Sequence, residues 1–115
     1  VVEDNPINVI VLKKLIEHVC EADSVINGVK ALEMLASRNY DLVLMDINLG
    51  NDNMTGIDVL NKIRSEERWS QLPVIVVTTQ LGTPDKEIYA KAGFADFVSK
   101  PINREEVLQV IGKYL

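Results

Sequence analysis

Cysteine and histidine are almost missing from this chain: Cys20 and His18 are each the only residue of their kind among 115. One thiol cannot close a disulfide within the chain, and one thiol with one imidazole cannot furnish a Cys/His zinc site. A fold without such staples needs its own apolar core, and the lone thiol points to a reducing compartment, the cytoplasm. No stretch reaches the ~18 uninterrupted apolar residues of a membrane span, and no basic leader precedes an apolar run, so membrane insertion is not expected. Repeats, low-complexity tracts and Pro/Gly/Ser linkers are also lacking, which leaves no internal boundary. An excess of basic charge is absent too. The 12 basic and 17 acidic residues give a net charge of −5, which argues against direct contact with nucleic acid. What remains is 47% hydrophobic and 25% charged, the composition of one globular domain spanning residues 1–115.

Within that domain short β-branched runs alternate with amphipathic stretches. Val1-Val2 is the stub of a strand that stops at Glu3-Asp4. Pro6, Ile7, Ile10, Val11, Leu15, Ile16 and Val19 then follow helical spacing. A weak strand over Ala22–Ile26 turns at Asn27-Gly28 into a helix carrying Ala31, Leu32, Leu35 and Ala36. Leu42-Val43-Leu44-Met45 is an unbroken apolar run ending in Asp46, the pattern of a strand covered on both faces. Gly50 to Thr55 is polar and turn-rich, and Gly56 opens a helix with Ile57, Leu60 and Ile63 on one side. After Pro73 a second apolar run, Val74-Ile75-Val76-Val77, ends at Thr78-Thr79. Thr83-Pro84-Asp85 reads as a helix start with Thr83 as its cap. Ala95–Ser99 is the last strand, and Asn103 with Glu106 forms a capping-box-like start to a helix bearing Val107, Leu108, Val110 and Ile111. The order is (βα)5, which right-handed crossovers wind into an α/β fold with a doubly wound, five-stranded parallel sheet.

Ligands of such sheets sit beyond the carboxyl ends of the strands. Those ends carry Glu3 and Asp4, Asp46, Thr78 and Lys100. A single Asp at a strand end is ordinarily a turn former or a cap; five chemically matched residues on one edge are a different matter. Carboxylates gathered within a few ångströms repel by several kcal/mol per pair at an effective dielectric of about 20. A hard divalent cation with oxygen ligands relieves this, and Mg2+ is the ordinary choice. Lys100 adds a second positive charge.

Val1-Val2-Glu3-Asp4-Asn5, Leu44-Met45-Asp46-Ile47, Val76-Val77-Thr78 and Ser99-Lys100-Pro101-Ile102 resemble the four signature blocks of the response-regulator receiver domain, the CheY-like, flavodoxin-like fold of two-component signalling. The similarity spans the whole chain. Asp4-Asn5-Pro6 and Lys100-Pro101-Ile102 also look like receivers fused to hybrid histidine kinases. The resemblance implies that Asp46 is the phosphoacceptor, taking a phosphoryl group from a phosphohistidine on a kinase or histidine phosphotransfer domain. It further implies that Glu3, Asp4, Asp46 and the backbone carbonyl of Asn48 hold Mg2+, and that Thr78 and Lys100 contact the phosphoryl oxygens. Phe97 takes the position of the switch aromatic, Lys100-Pro101 that of a cis bond, and Asn48 and Gln80 those that tune phosphoryl lifetime. An output domain or a second copy would meet the face of the fourth helix and fifth strand. The expected setting is cytoplasmic, whether alone or as part of a membrane-bound kinase.

Departures from the family pattern are local. The segment from Asp46 to Gly56 is about two residues longer than usual and lacks the customary Pro. Thr79 follows Thr78 where a small residue is typical, so two hydroxyls compete and strand register favours Thr78. A pseudo-receiver that binds partners without phosphorylation is disfavoured by the intact Glu3, Asp4, Asp46, Thr78 and Lys100. A haloacid-dehalogenase-type phosphohydrolase would need Asp-x-Asp on the first strand, and here Asp46-Ile47-Asn48 lies on the third without its second Asp. A flavodoxin-like cofactor site would need a phosphate loop after the first strand, and none is present. His18 and Cys20 read as structural, and Trp69 beside Arg68 covers the sheet edge or meets a partner.

Overall fold

The computed structural model describes residues 1–47, 55–79 and 82–115, apart from the side chains of Thr83 and Pro84. Three parallel strands, β1 (Val43–Asp46), β2 (Val74–Thr78) and β3 (Asp96–Ser99), pair in the order β1-β2-β3. Val43 lies opposite Val74, and Thr78 opposite Ser99. Val2 bridges in parallel to both Val25 and Met45. The sheet therefore runs Val25, Val2, β1, β2, β3, the five parallel members expected, although its first two members are single-residue bridges instead of strands. Backbone bonds continue the ladder there, with the Val2 N–H donating to Leu44 O at 2.7 Å and the Asp46 N–H to Val2 O at 3.0 Å. Because Val25 and β1 flank Val2 on opposite sides, the winding reverses between Val2 and β1, and a crevice opens there.

Among the described residues five α-helices cover the sheet: α1 (Pro6–Ile16), α2 (Gly28–Ser37), α3 (Gly56–Ser65), α4 (Thr83–Ala92) and α5 (Arg104–Tyr114). Alternating strand residues feed two separate cores. Val43, Met45, Val74 and Val76 pack with Ala31 and Leu35 of α2, Val59, Leu60 and Ile63 of α3, and Tyr89 of α4. Leu44, Ile75, Val77 and Val98 pack on the other face with Leu12 and Ile16 of α1 and Val107, Val110 and Ile111 of α5. This two-sided burial is why the strands read as unbroken apolar runs. Among the described residues no helix is long and apolar enough to cross a membrane.

Three local expectations need correction. In α1 the buried face is Leu12 and Ile16, whereas Ile7 and Ile10 are 69% and 59% exposed. That helix is apolar nearly all round, so spacing alone could not choose its inner side. At α4 the cap is Gly82, whose N–H donates to the Asp85 carboxylate at 3.1 Å, and Thr83 is the first helical residue. In α5 only half of the anticipated box forms. Asn103 Oδ1 accepts the Glu106 N–H at 3.1 Å, but the Glu106 carboxylate turns away toward Ser99.

One arginine with no motif of its own ties several connections together. Arg64 at the end of α3 donates to the carbonyl oxygens of Leu72 at 2.7 Å, Trp69 at 3.1 Å and Gly93 at 2.9 Å. Gly93 ends α4 at φ +116°, a left-handed conformation that glycine adopts without a side-chain penalty. The guanidinium thereby binds the 3₁₀ turn at Glu67–Trp69 and the close of α4 to one anchor.

Candidate functional site

Glu3 follows the Val2 bridge, Asp46 ends β1, Thr78 ends β2 and Lys100 follows β3. Sheet register thus delivers all four to the crevice where the winding reverses. Glu3 is 1% exposed, Asp46 5% and Thr78 2%, while Asp4 and Thr79 face solvent. Of the two adjacent threonines, only Thr78 is buried. Carboxylate oxygens of Glu3, Asp4 and Asp46 lie within 4.8 Å of one another.

The cation at the centre is Lys100. Its Nζ donates to Asp46 Oδ2 at 2.9 Å and lies 3.2 Å from Glu3 Oε2. Burial alone would lower its pKa, but Asp46 and then Glu3 outweigh that and hold it above the ordinary lysine value. For Glu3 the shift disfavours the charged form. Burial, reinforced by the neighbouring Asp46 charge, raises its pKa against the opposing pull of the Asn5 N–H and Lys100. Glu3 Oε1 accepts that Asn5 N–H at 3.2 Å, yet Oε2 is buried without a directed hydrogen bond. A buried carboxylate oxygen beside a second carboxylate, with one shared ammonium, is electrostatically unfinished.

Asn5 also caps α1, its Oδ1 accepting the Ile7 N–H at 2.9 Å. The acidic pair and the start of α1 are therefore parts of a single turn. Phe97 is half-buried on β3 against the α2/α3/α4 core. Its ring lies 6.4 Å from that of Tyr89, which meets Phe94 edge-on at 5.9 Å. The aromatic cluster behind Phe97 escaped the sequence reading, because Tyr89 is the one aromatic in α4 and its spacing to Phe94 and Phe97 follows no period. The Lys100-Pro101 bond is cis, as the resemblance implied. Asn48, Gln80 and the loop over residues 50–54 lie outside the described residues.

A doubly wound sheet with acids, a threonine and a lysine at the reversal of its strand order defines the receiver class. The model of the response regulator receiver domain matches residues 1–112, and the chain belongs to that family, the receivers of two-component systems. It is 38% identical over 121 residues to hybrid signal transduction histidine kinase L of Dictyostelium discoideum, covering 99% of this chain and 7% of that protein. The chain thus spans a small fraction of that kinase. To the polar-differentiation response regulator DivK of Brucella anthropi it is 32% identical, covering 100% of this chain and 93% of the other. Among solved structures, the receiver domain of a sensor histidine kinase from Pseudomonas aeruginosa superposes with a TM-score of 0.86 at 28% identity. That match covers 98% of this chain and 92% of the other, and its structure holds a magnesium ion coordinated in the active-site cleft.

Proposed function

We propose that residues 1–115 act as one phosphoacceptor domain and that Asp46 takes a phosphoryl group from a partner phosphohistidine. The observation carrying this reading is the Lys100 ammonium 2.9 Å from a buried Asp46 carboxylate at the strand-order reversal. An ionised carboxylate needs no general base. Phosphoryl transfer asks chiefly for alignment and for charge neutralisation around the moving group. An Asp46 oxygen forms the new O–P bond as the N–P bond to the imidazole breaks, and the freed imidazole nitrogen keeps the electron pair.

Glu3, Asp4 and Asp46 fit a divalent cation because their oxygens converge and Glu3 Oε2 lacks a directed donor. They would hold Mg2+ together with the Asn48 carbonyl, and the ion would supply positive charge to the phosphoryl oxygens. Lys100 and the Thr78 hydroxyl bind the remaining oxygens. Phosphorylation draws Thr78 toward the new group, and Phe97 repacks against Tyr89 into the space released. The surface of α4 and β3 changes with it, as a shift between two packings. That face would meet an output domain or a second copy. Return to the resting state is hydrolysis by a water whose approach Asn48 and Gln80 control.

The histidine-bearing partner, a kinase or phosphotransfer domain, approaches from the open side of the site. Exposed Ile7 and Ile10 lie on α1, which begins two residues after Asp4, and would meet that partner. The reading places the domain in the cytoplasm, alone or within a larger kinase. Incubating the chain with Mg2+ and acetyl phosphate should add one phosphoryl mass, and Asp46→Asn should abolish the gain. Normal phosphorylation of the Asp46→Asn protein would refute the assignment.

A further inference from the structure

Lys100 is useful only if its ammonium stays between Asp46 and Glu3, yet a lysine side chain is long and rotamer-rich. Its backbone must therefore be fixed, and the chain around it offers few ways to do so. β3 pairs with β2 on one side and with no strand on the other among the described residues. Immediately after Lys100 comes Pro101, which has no N–H to donate. On the inner side the Lys100 N–H donates to Thr78 O at 2.9 Å. The Ser99 N–H points outward, where a ladder partner is lacking.

Glu106 takes the place of that partner. Its Oε1 accepts the Ser99 N–H at 2.7 Å, and its two oxygens accept the Ser99 hydroxyl at 2.9 and 3.2 Å. Short contacts of this kind, an N–H or O–H on an ionised acceptor, are the stronger class of hydrogen bond. Glu106 is itself held, because its N–H is bound by the Asn103 cap at 3.1 Å. Strand end and helix start are thereby stitched together across the turn that contains Lys100. Both Glu106 oxygens are engaged by Ser99, and the ammonium is left to Asp46 and Glu3.

We infer that Glu106 is a positioning residue for Lys100, acting through Ser99 to set the ammonium's reach into the site. The inference rests on the phosphoacceptor reading for its kinetic consequence but not for its structural one. Glu106→Ala should slow phosphoryl uptake from acetyl phosphate at saturating donor by about tenfold or more, the scale expected when a reacting group is misplaced by part of an ångström. Mg2+ affinity by calorimetry should stay within about twofold, because no metal-facing carboxylate is touched. Glu106→Gln, which keeps one acceptor oxygen, should recover part of the rate. In a Lys100→Ala background, Glu106→Ala should slow uptake no further, whereas a merely structural role would cost the same in both. Equal slowing in both backgrounds, or wild-type uptake in Glu106→Ala, overturns the proposal. Should Glu106→Ala not fold, Ser99→Ala removes only the hydroxyl contacts and carries the same test with a smaller expected loss. The Lys100 15Nζ resonance separates this inference from the one beneath it. A wild-type chain that takes up no phosphoryl group sinks the phosphoacceptor reading, while an Nζ signal unchanged by Glu106→Ala sinks the positioning role.

Discussion

The two ends of the sheet treat their charges in opposite ways. At the carboxyl edge, Glu3 and Asp46 are buried together on one ammonium, and a Glu3 oxygen has no directed donor. At the amino edge, Asp23 accepts the Tyr40 hydroxyl at 2.6 Å and Arg38 Nη1 at 2.9 Å. Nearby, the Arg64 guanidinium satisfies three carbonyls from two segments. One end is left short of positive charge and the other is complete. Stability is built where hydrogen bonds close, and chemistry is kept where they do not, because an unfinished site has affinity to spare for a cation and a phosphoryl group.

Lys100→Ala breaks this contrast most severely. Without the ammonium, two buried carboxylates face each other, and the metal-free protein should lose about 3 kcal/mol in a urea titration. Mg2+ should restore part of the loss and should itself bind at least as tightly, since a competing cation is gone. Weaker Mg2+ binding in Lys100→Ala would show that the ammonium organises the acids instead of competing for them.

Glu3 provides the next test, and its sign follows from its raised pKa. Between the ordinary glutamate range and the raised value, the folded state binds more protons than the unfolded one. Metal-free stability from this group is fully present below the ordinary range and is lost as pH rises through the folded value. Glu3→Gln should flatten that decline in melting experiments run across the acid range. Saturating Mg2+ should flatten it as well. Asp4→Ala should have a smaller effect, because Asp4 is exposed. It should loosen Mg2+ while slightly raising the melting temperature of the metal-free protein.

Asp23 supplies the opposite slope and the smallest effect. The Tyr40 hydroxyl first, with Arg38 beside it, holds its pKa below the ordinary aspartate value against the opposing cost of desolvation. Its contribution is present above that ordinary value and fades as pH falls through the folded one. Asp23→Asn should lower the melting temperature slightly near neutral pH and remove this acid-side loss. A stabilised Asp23→Asn protein would mean that the two ends do not differ as described.

Much of the fold was legible because its strands are buried on both faces. Leu42–Met45 and Val74–Val77 could be little else, and the residues following them had to lie on one edge. The acids, Thr78 and Lys100 were legible for the same reason. Illegible were features that depend on tertiary direction. The inner face of α1 could not be chosen in a helix with apolar residues on every side, and Leu12, at its centre, was passed over. Glu106 was read as a capping-box member from its spacing to Asn103, but spacing carries no information about the strand end that competes for its carboxylate. Arg64 and the Asp23–Tyr40–Arg38 cluster join segments far apart in sequence or turn into backbone carbonyls, and neither leaves a periodic trace.

Gly56 opens α3 hard against the end of β1. A methyl group there would stand 2.7 Å from the Asp46 carbonyl oxygen and 3.0 Å from Ile47 Cα. The Gly56 N–H meanwhile donates to Ile47 O at 2.9 Å. The chain leaves the site at Ile47 and returns within one hydrogen bond of where it left. The two ends of the segment that joins those residues are therefore already fixed. Lengthening it by two residues costs roughly a few tenths of a kcal/mol in closure entropy. Segment length between residues 47 and 56 is in this way uncoupled from the position of Asp46. A short recognition peptide grafted near Asn51 should therefore leave the position of the Asp46 carboxylate unchanged.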